Sequence, residues 1–230
     1  DYNLWPEYAR ICGTMTADGQ EGWIYLLPTR EMLTSVQRTV WSTEGLVGCS
    51  RLNLFSLDGL VELVLNTAGQ TVQYLEETEA LAVLNGVVRQ LGAEQRLSYY
   101  RRAGDRHSYL KGILGAIGEL KRQLISPEEL DKAAAGLVFP ARLKELALIY
   151  NSYQQVLEEQ GYAQQEELYI KATELLQKEG KGLLSGFNSL FMSNYFEFTP
   201  VKESFLARVI ALIPRVEINL PYDLRNPQAY

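Results

Sequence analysis

Residues 190–200, LFMSNYFEFTP, constrain the fold of this chain more than any other stretch. A short apolar run reaches a polar corner at Ser193 and Asn194, and a helical segment follows. Apolar runs of strand length without in–out alternation suit strands covered on both faces, as in parallel sheets. Residues 189–192 therefore read as a buried strand. Residues 23–27 (WIYLL, closed by Pro28), 52–55 (LNLF) and 216–220 (VEINL, closed by Pro221) read the same way. Helical patterns lie between them, at 30–40 and at 57–65, where Leu57, Leu60, Val61 and Val64 share a stripe. Strands alternating with helices imply βαβ units.

The middle of the chain differs. Residues 71–181 hold no convincing strand. Leu81, Leu84, Val88 and Leu91 share a helical face over 76–91, and Leu110, Ile113, Leu114, Ile117, Leu120 and Leu124 share another over 107–124. Ser126-Pro127-Glu128-Glu129 is a helix start, with a capping serine, proline in the first turn and a glutamate that closes a capping box. A stripe from Phe139 to Leu157 predicts a long helix ended by Gly161. Residues 165–176 predict another, before a glycine-rich return at 180–186. The simplest topology is an α/β domain made from residues 1–70 and 182–230, with residues 71–181 inserted as a helical domain. Insertion at a loop tip leaves the host core intact.

With 230 residues, 47% of them hydrophobic, the chain can bury a sizeable core. A net charge of −6 excludes a globally basic nucleic-acid binder but leaves room for a local basic face. Two cysteines, Cys12 and Cys49, are too few for a disulfide framework, and a single histidine, His107, gives them no metal-site companion. They read as small buried apolar residues of a reduced, cytoplasmic protein. No apolar run approaches the roughly 18–20 residues that cross a bilayer, and no signal peptide is recognisable, so no membrane partner is expected. A chain that starts at Asp1 and stops at Tyr230 is expected to be a piece of something longer.

The phosphate-cradle pattern GxxxxGK[ST] does not occur; Gly180-Lys181 is the nearest fragment. Nucleotide hydrolysis by this sequence alone is therefore not expected. Thr29 and Arg30 follow a strand end, where ligands of open α/β sheets gather, so they can meet a DNA phosphate; alternatively Thr29 simply caps the next helix. Ser56, at a second strand-to-helix junction, has the same two readings. Residues 96–111, RLSYYRRAGDRHSYLK, set five cations (Arg96, Arg101, Arg102, Arg106 and Lys111) against one acid, Asp105. Tyr99, Tyr100 and Tyr109 are interleaved with them. Arginines that track phosphates and aromatics that stack on bases suit single-stranded nucleic acid. The plainer reading is a solvated turn whose arginines pair with glutamates. His107 sits in no nucleophile motif, and Glu76-Glu77 and Glu166-Glu167 read as solvated helix faces rather than acid–base pairs.

The order LLPTRE, FSLDGL, ELKRQLISPEEL, KELALIYNSYQQVLEEQGY and FMSNYFEFTP resembles the N-terminal helicase-like region of the AddB (RexB) subunit of bacterial ATP-dependent helicase–nucleases. The resemblance implies a P-loop-NTPase-like, superfamily-one helicase-like α/β fold with an all-helical insertion and a degenerate motor. It implies a role in DNA repair and recombination beside an AddA-type partner subunit that carries the active helicase. It also implies that ATP, magnesium and an iron–sulfur cluster belong to the full complex, with no cofactor in this segment. The family's turn carries an aspartate, a glycine and an aromatic, then Phe-Thr-Pro two residues on. Phe198-Thr199-Pro200 match, so Ser193 takes the place of the aspartate, Asn194 that of the glycine, and Tyr195 keeps the aromatic. Without the acid, the hold on magnesium is lost. The expectation is a non-catalytic segment that holds or guides DNA through Thr29, Arg30, Ser56, Tyr99, Tyr100, Arg101, Arg102 and Arg106. The alternative is a scaffold that docks the partner without touching DNA.

Overall fold

The computed structural model describes residues 22–42, 53–136 and 140–219. Cys12, Cys49 and Phe139 lie outside the described residues. The strands are β1 (Trp23–Leu26), β2 (Leu54–Phe55), β3 (Gln73–Tyr74), β4 (Tyr162–Ala163), β5 (Ser189–Ser193) and β6 (Arg215–Asn219). The helices are α1 (Arg30–Ser42), α2 (Leu57–Thr67), α3 (Glu77–Ala93), α4 (His107–Arg122), α5 (Pro127–Ala134), α6 (Pro140–Gln160), α7 (Gln165–Glu179) and α8 (Pro200–Leu212). Short 3₁₀ turns occur at Ala103–Asp105 and Gly180–Leu184. The chain is α/β and mostly helical. It divides into two compact units. One takes the described residues up to Gly69, with Lys171–Phe198 and those from Lys202 onward; the other takes Gln70–Ile170 with Thr199–Val201.

The first unit is built on a four-stranded, all-parallel sheet of order β2-β1-β5-β6. The four apolar runs form it because they are buried in the way their composition demands: every residue of β1, and of β5 from Leu190 to Ser193, is buried. Val36 of α1 packs onto Trp23, Tyr25, Leu27 and Phe191. The chain leaves β1 for β2 on one side and later returns to β5 on the other. The sheet therefore reverses its winding between β1 and β5, at a topological switch point.

The second unit packs α3, α4, α5 and α6 around Leu84, Val88, Ile117, Ile149 and Tyr153. It is not wholly helical, as the sequence led us to expect. β3 and β4 form a parallel pair, Gln73↔Tyr162 and Tyr74↔Ala163, extended by Leu75 N–H donating to Ala163 O at 3.0 Å. Two-residue strands carry no periodicity to read. The Ser126 capping box forms as expected, with Ser126 N–H donating to Glu129 at 2.9 Å and Glu129 N–H donating to Ser126 Oγ at 3.2 Å. Gly161 ends α6 at φ +71°. Leu124, placed on the α4 stripe by its spacing, instead lies past the helix end at φ +57°, and is exposed.

Glu166 and Glu167 correct a second expectation, because they are not solvated. Glu167 pairs with Lys121 of α4, a lysine only 1% exposed, which also donates to Gln164 Oε1 at 3.0 Å. The Lys121 ammonium lies 5.3 Å from the Tyr153 ring centre and 5.8 Å from that of Tyr150. Glu166 accepts from Arg122 Nη1 at 3.0 Å. A buried cation needs both a counter-charge and a polarisable surround, and these two glutamates with the two tyrosines supply them.

Candidate nucleic-acid interface

Sequence reasoning singled out residues in both units, and each unit forms its own surface. In the first, Thr29, Arg30, Ser56, Ser193 and Asn194 all stand at the carboxyl edge of the parallel sheet. Ser193 is the last residue of β5, a strand flanked by β1 and β6. It is 1% exposed, and its Oγ accepts the Tyr25 hydroxyl of β1 at 3.3 Å. Asn194 follows at φ +64°. Asparagine is the side chain that, after glycine, best tolerates this left-handed conformation. Tyr195 is buried and its ring stacks on Phe198 at 5.5 Å, while Phe196 is left exposed. Burial raises the Tyr195 phenol above its ordinary range.

The strand-end positions Leu26, Phe55 and Ser193 carry no carboxylate; the next acids along the chain are Glu31, Asp58 and Glu197. Magnesium at a nucleotide site needs an anionic oxygen in the strand-tip position. A buried hydroxyl already bonded to Tyr25 does not fit that role. Among the described residues, no three His, Cys, Asp or Glu side chains gather as a metal site. An iron–sulfur cluster takes four cysteine thiolates, and this sequence has two cysteines.

Thr29 and Ser56 both act as helix caps. Thr29 Oγ1 accepts from Met32 N–H at 3.2 Å and Ser56 Oγ from Gly59 N–H at 3.1 Å. Thr29 and Arg30 are exposed, and Ser56 is half-buried.

In the second unit, residues 98–100 form a turn held by one carboxylate. Glu145 of α6 is buried and accepts from Ser98 N–H at 2.9 Å, Ser98 Oγ at 2.5 Å, Tyr99 N–H at 2.9 Å and Tyr100 N–H at 3.0 Å. Burial pushes its carboxyl up. The Ser98 hydroxyl and the amides of Tyr100, Tyr99 and Ser98 outweigh that, leaving it below its ordinary value. The turn aims its two tyrosines differently. Tyr99 is 57% exposed; Tyr100 is 7% exposed and meets Tyr99 edge-on, with ring centres 4.9 Å apart. Tyr100 is therefore a core residue rather than the stacking surface the sequence suggested. An aromatic beside arginines in sequence gives no sign of which way a turn faces. Arg101, Arg102 and Arg106 are exposed, and Arg106 lies over the Tyr109 ring at 5.7 Å.

Sequence reasoning missed Arg142 and Glu145. They lie more than 40 residues from the tyrosine turn, and no local pattern links them to it. Arg142 sits 5.4 Å over the Tyr99 ring, and its Nε donates to the Tyr100 hydroxyl at 3.4 Å. No described helix is long and apolar enough to cross a membrane.

Several proteins of known name are similar to this chain. One is the ATP-dependent helicase/deoxyribonuclease AddB-type subunit of Exiguobacterium sibiricum, 23% identical over 205 residues, covering 88% of this chain and 17% of that protein. The same-named protein of Anoxybacillus flavithermus is 24% identical over 210 residues (87% and 18%), and that of Geobacillus kaustophilus 23% over 215 residues (87% and 18%). The chain thus spans less than a fifth of the length of these relatives. The family model described as "ADDB, N-terminal" matches residues 8–229, nearly the whole sequence, and the chain belongs to that family.

Proposed function

We propose that this chain is a catalytically silent, helicase-like frame that holds or guides single-stranded DNA within a helicase–nuclease acting in double-strand-break repair and recombination. The sheet unit is the P-loop-NTPase-like part, and residues 71–181 are its helical insertion. Ser193 carries the reading: an uncharged, bonded hydroxyl stands at the tip of an internal parallel strand, beside a switch point, where a nucleotide motor needs an acid. Membership of the family, and the printed names of its helicase/deoxyribonuclease relatives, support the setting. In this reading Arg101, Arg102 and Arg106 hold phosphates and Tyr99 stacks on a base. Thr29, Arg30 and Ser56 form the ligand edge of the sheet. An AddA-type partner supplies the motor.

The test is fluorescence anisotropy of labelled single-stranded DNA with full-length protein across roughly 50 to 200 mM salt. Affinity should fall steeply with salt. Reversing Arg101 and Arg102 together to glutamate should weaken binding and flatten that slope by about 2, one unit per lost phosphate contact. Absence of binding at low salt refutes the DNA-holding reading and favours a scaffold for the partner.

A further inference from the structure

We propose that the groove between α4 and α6 is a base-insertion site, which receives an unstacked nucleobase of single-stranded DNA while arginines at its rim hold the flanking phosphates. The inference rests on the DNA-holding reading above and deepens it, by naming where a base goes and what it touches.

The groove exists because α4 presents only small side chains along one line. Ser108, Gly112 and Ala116 are spaced four apart, so they stack on a single helical face. Arg142, Leu143 and Leu146 of α6 form the opposite wall, and the Tyr99–Tyr100 turn closes one end. The space is about 790 Å³, within the range of about 300–1,000 Å³ that small-molecule pockets occupy. Its lining is mostly apolar and includes no carboxylate.

Three features favour a nucleobase over a protein segment. First, two tyrosines more than half exposed line the groove, Tyr99 at 57% and Tyr109 at 51%. Second, each of those rings carries an arginine, Arg142 at 5.4 Å over Tyr99 and Arg106 at 5.7 Å over Tyr109. Paired aromatic and guanidinium groups match the alternating planar base and anionic phosphate of a single strand. Third, the rim is cationic in an otherwise acidic chain, with Arg101 and Arg102 directly following the turn. The turn itself is fixed by Glu145, so Tyr99 is presented already ordered, which lowers the entropy cost of stacking.

The decisive variant is Gly112→Leu. A Cβ added at Gly112 meets no atom within 4 Å, so leucine fills the groove without displacing the core. The probe is single-stranded DNA carrying 2-aminopurine, whose fluorescence changes when that base unstacks from its neighbours. Wild-type, full-length protein should change that fluorescence on binding. Gly112→Leu should lose the response and weaken binding about five- to hundred-fold, the range for one base–aromatic stack, with the salt slope unchanged. Tyr99→Ala should do the same and Tyr99→Phe should restore it. A Gly112→Leu protein with wild-type affinity and fluorescence response overturns the groove proposal and leaves DNA holding intact. A wild-type protein that binds no DNA sinks both. Unchanged DNA binding with loss of a partner protein from the Gly112→Leu complex also overturns the proposal, and assigns the groove to a protein segment.

Discussion

Glu145→Gln is the most informative single change in the helical unit. The carboxylate accepts from three consecutive backbone amides and one hydroxyl, all at 2.5 to 3.0 Å, from a buried position. Glutamine removes the charge and turns an NH₂ donor toward a group of donors. At least one amide then loses its acceptor inside the protein. Leaving a buried donor unsatisfied costs about 1–3 kcal/mol, and losing a charge-assisted bond costs about 1.5–3 kcal/mol. The two overlap, and roughly 3 kcal/mol of destabilisation is expected at pH 7. The pH dependence follows from the lowered carboxyl. A group whose folded pKa lies below its unfolded value of about 4.3 stabilises the fold fully above that value and loses its contribution as pH falls through the folded pKa. The wild-type advantage over Glu145→Gln should therefore be complete at neutral pH and should shrink as pH falls below about 4. Urea unfolding at a series of pH values measures it. Equal stability at neutral pH, or an advantage that stays constant down to about pH 3, would refute the argument that the charge holds the turn.

Other outcomes follow from the same geometry. Glu167→Ala leaves Lys121 buried without its counter-ion and should cost about 3–5 kcal/mol by chemical denaturation, whereas Lys121→Met in the same cavity should cost far less. At Asn194, alanine should destabilise by about 1–2 kcal/mol because of the positive φ, and glycine should be better tolerated there than alanine, measured by thermal melting. Ser56→Ala should cost about 1 kcal/mol through its lost cap; a fall in DNA affinity beyond that of a stability-matched control would show a phosphate role as well. Ser193→Asp places a charge in a buried site beside Tyr25, so it should lower the melting temperature without creating ATP hydrolysis.

The parallel sheet was legible because its strands are buried on both faces and so read as plain apolar runs: β1 and β5 each fall within a residue or two of the sequence expectation. The Ser126 cap was legible for a local reason, since all its partners lie within four residues. Long-range pairing left no such mark. β3 and β4 are nearly 90 residues apart and two residues long, too short for alternation to register. Lys121 reads in sequence as one more charge beside Arg122, and only folding shows that Tyr150, Tyr153 and Glu167 enclose it. The candidate site divides in the same way. Strand-end residues were found by chain position, while Tyr100 was misjudged and Arg142 and Glu145 were missed, because a helix distant in sequence decides which ring of the turn faces water.

The short ladder joining Gln73–Tyr74 to Tyr162–Ala163 has an evolutionary consequence. It ties both ends of the intervening helices side by side, so the entropy of bringing those ends together is already spent. Doubling the length between such tethered points costs only about 0.6 kcal/mol more. Helical hairpins can thus be gained or lost between the two strands across the family with little penalty to the neighbouring sheet. Relatives are therefore expected to vary most in size here, while the residues of the ladder keep their pairing.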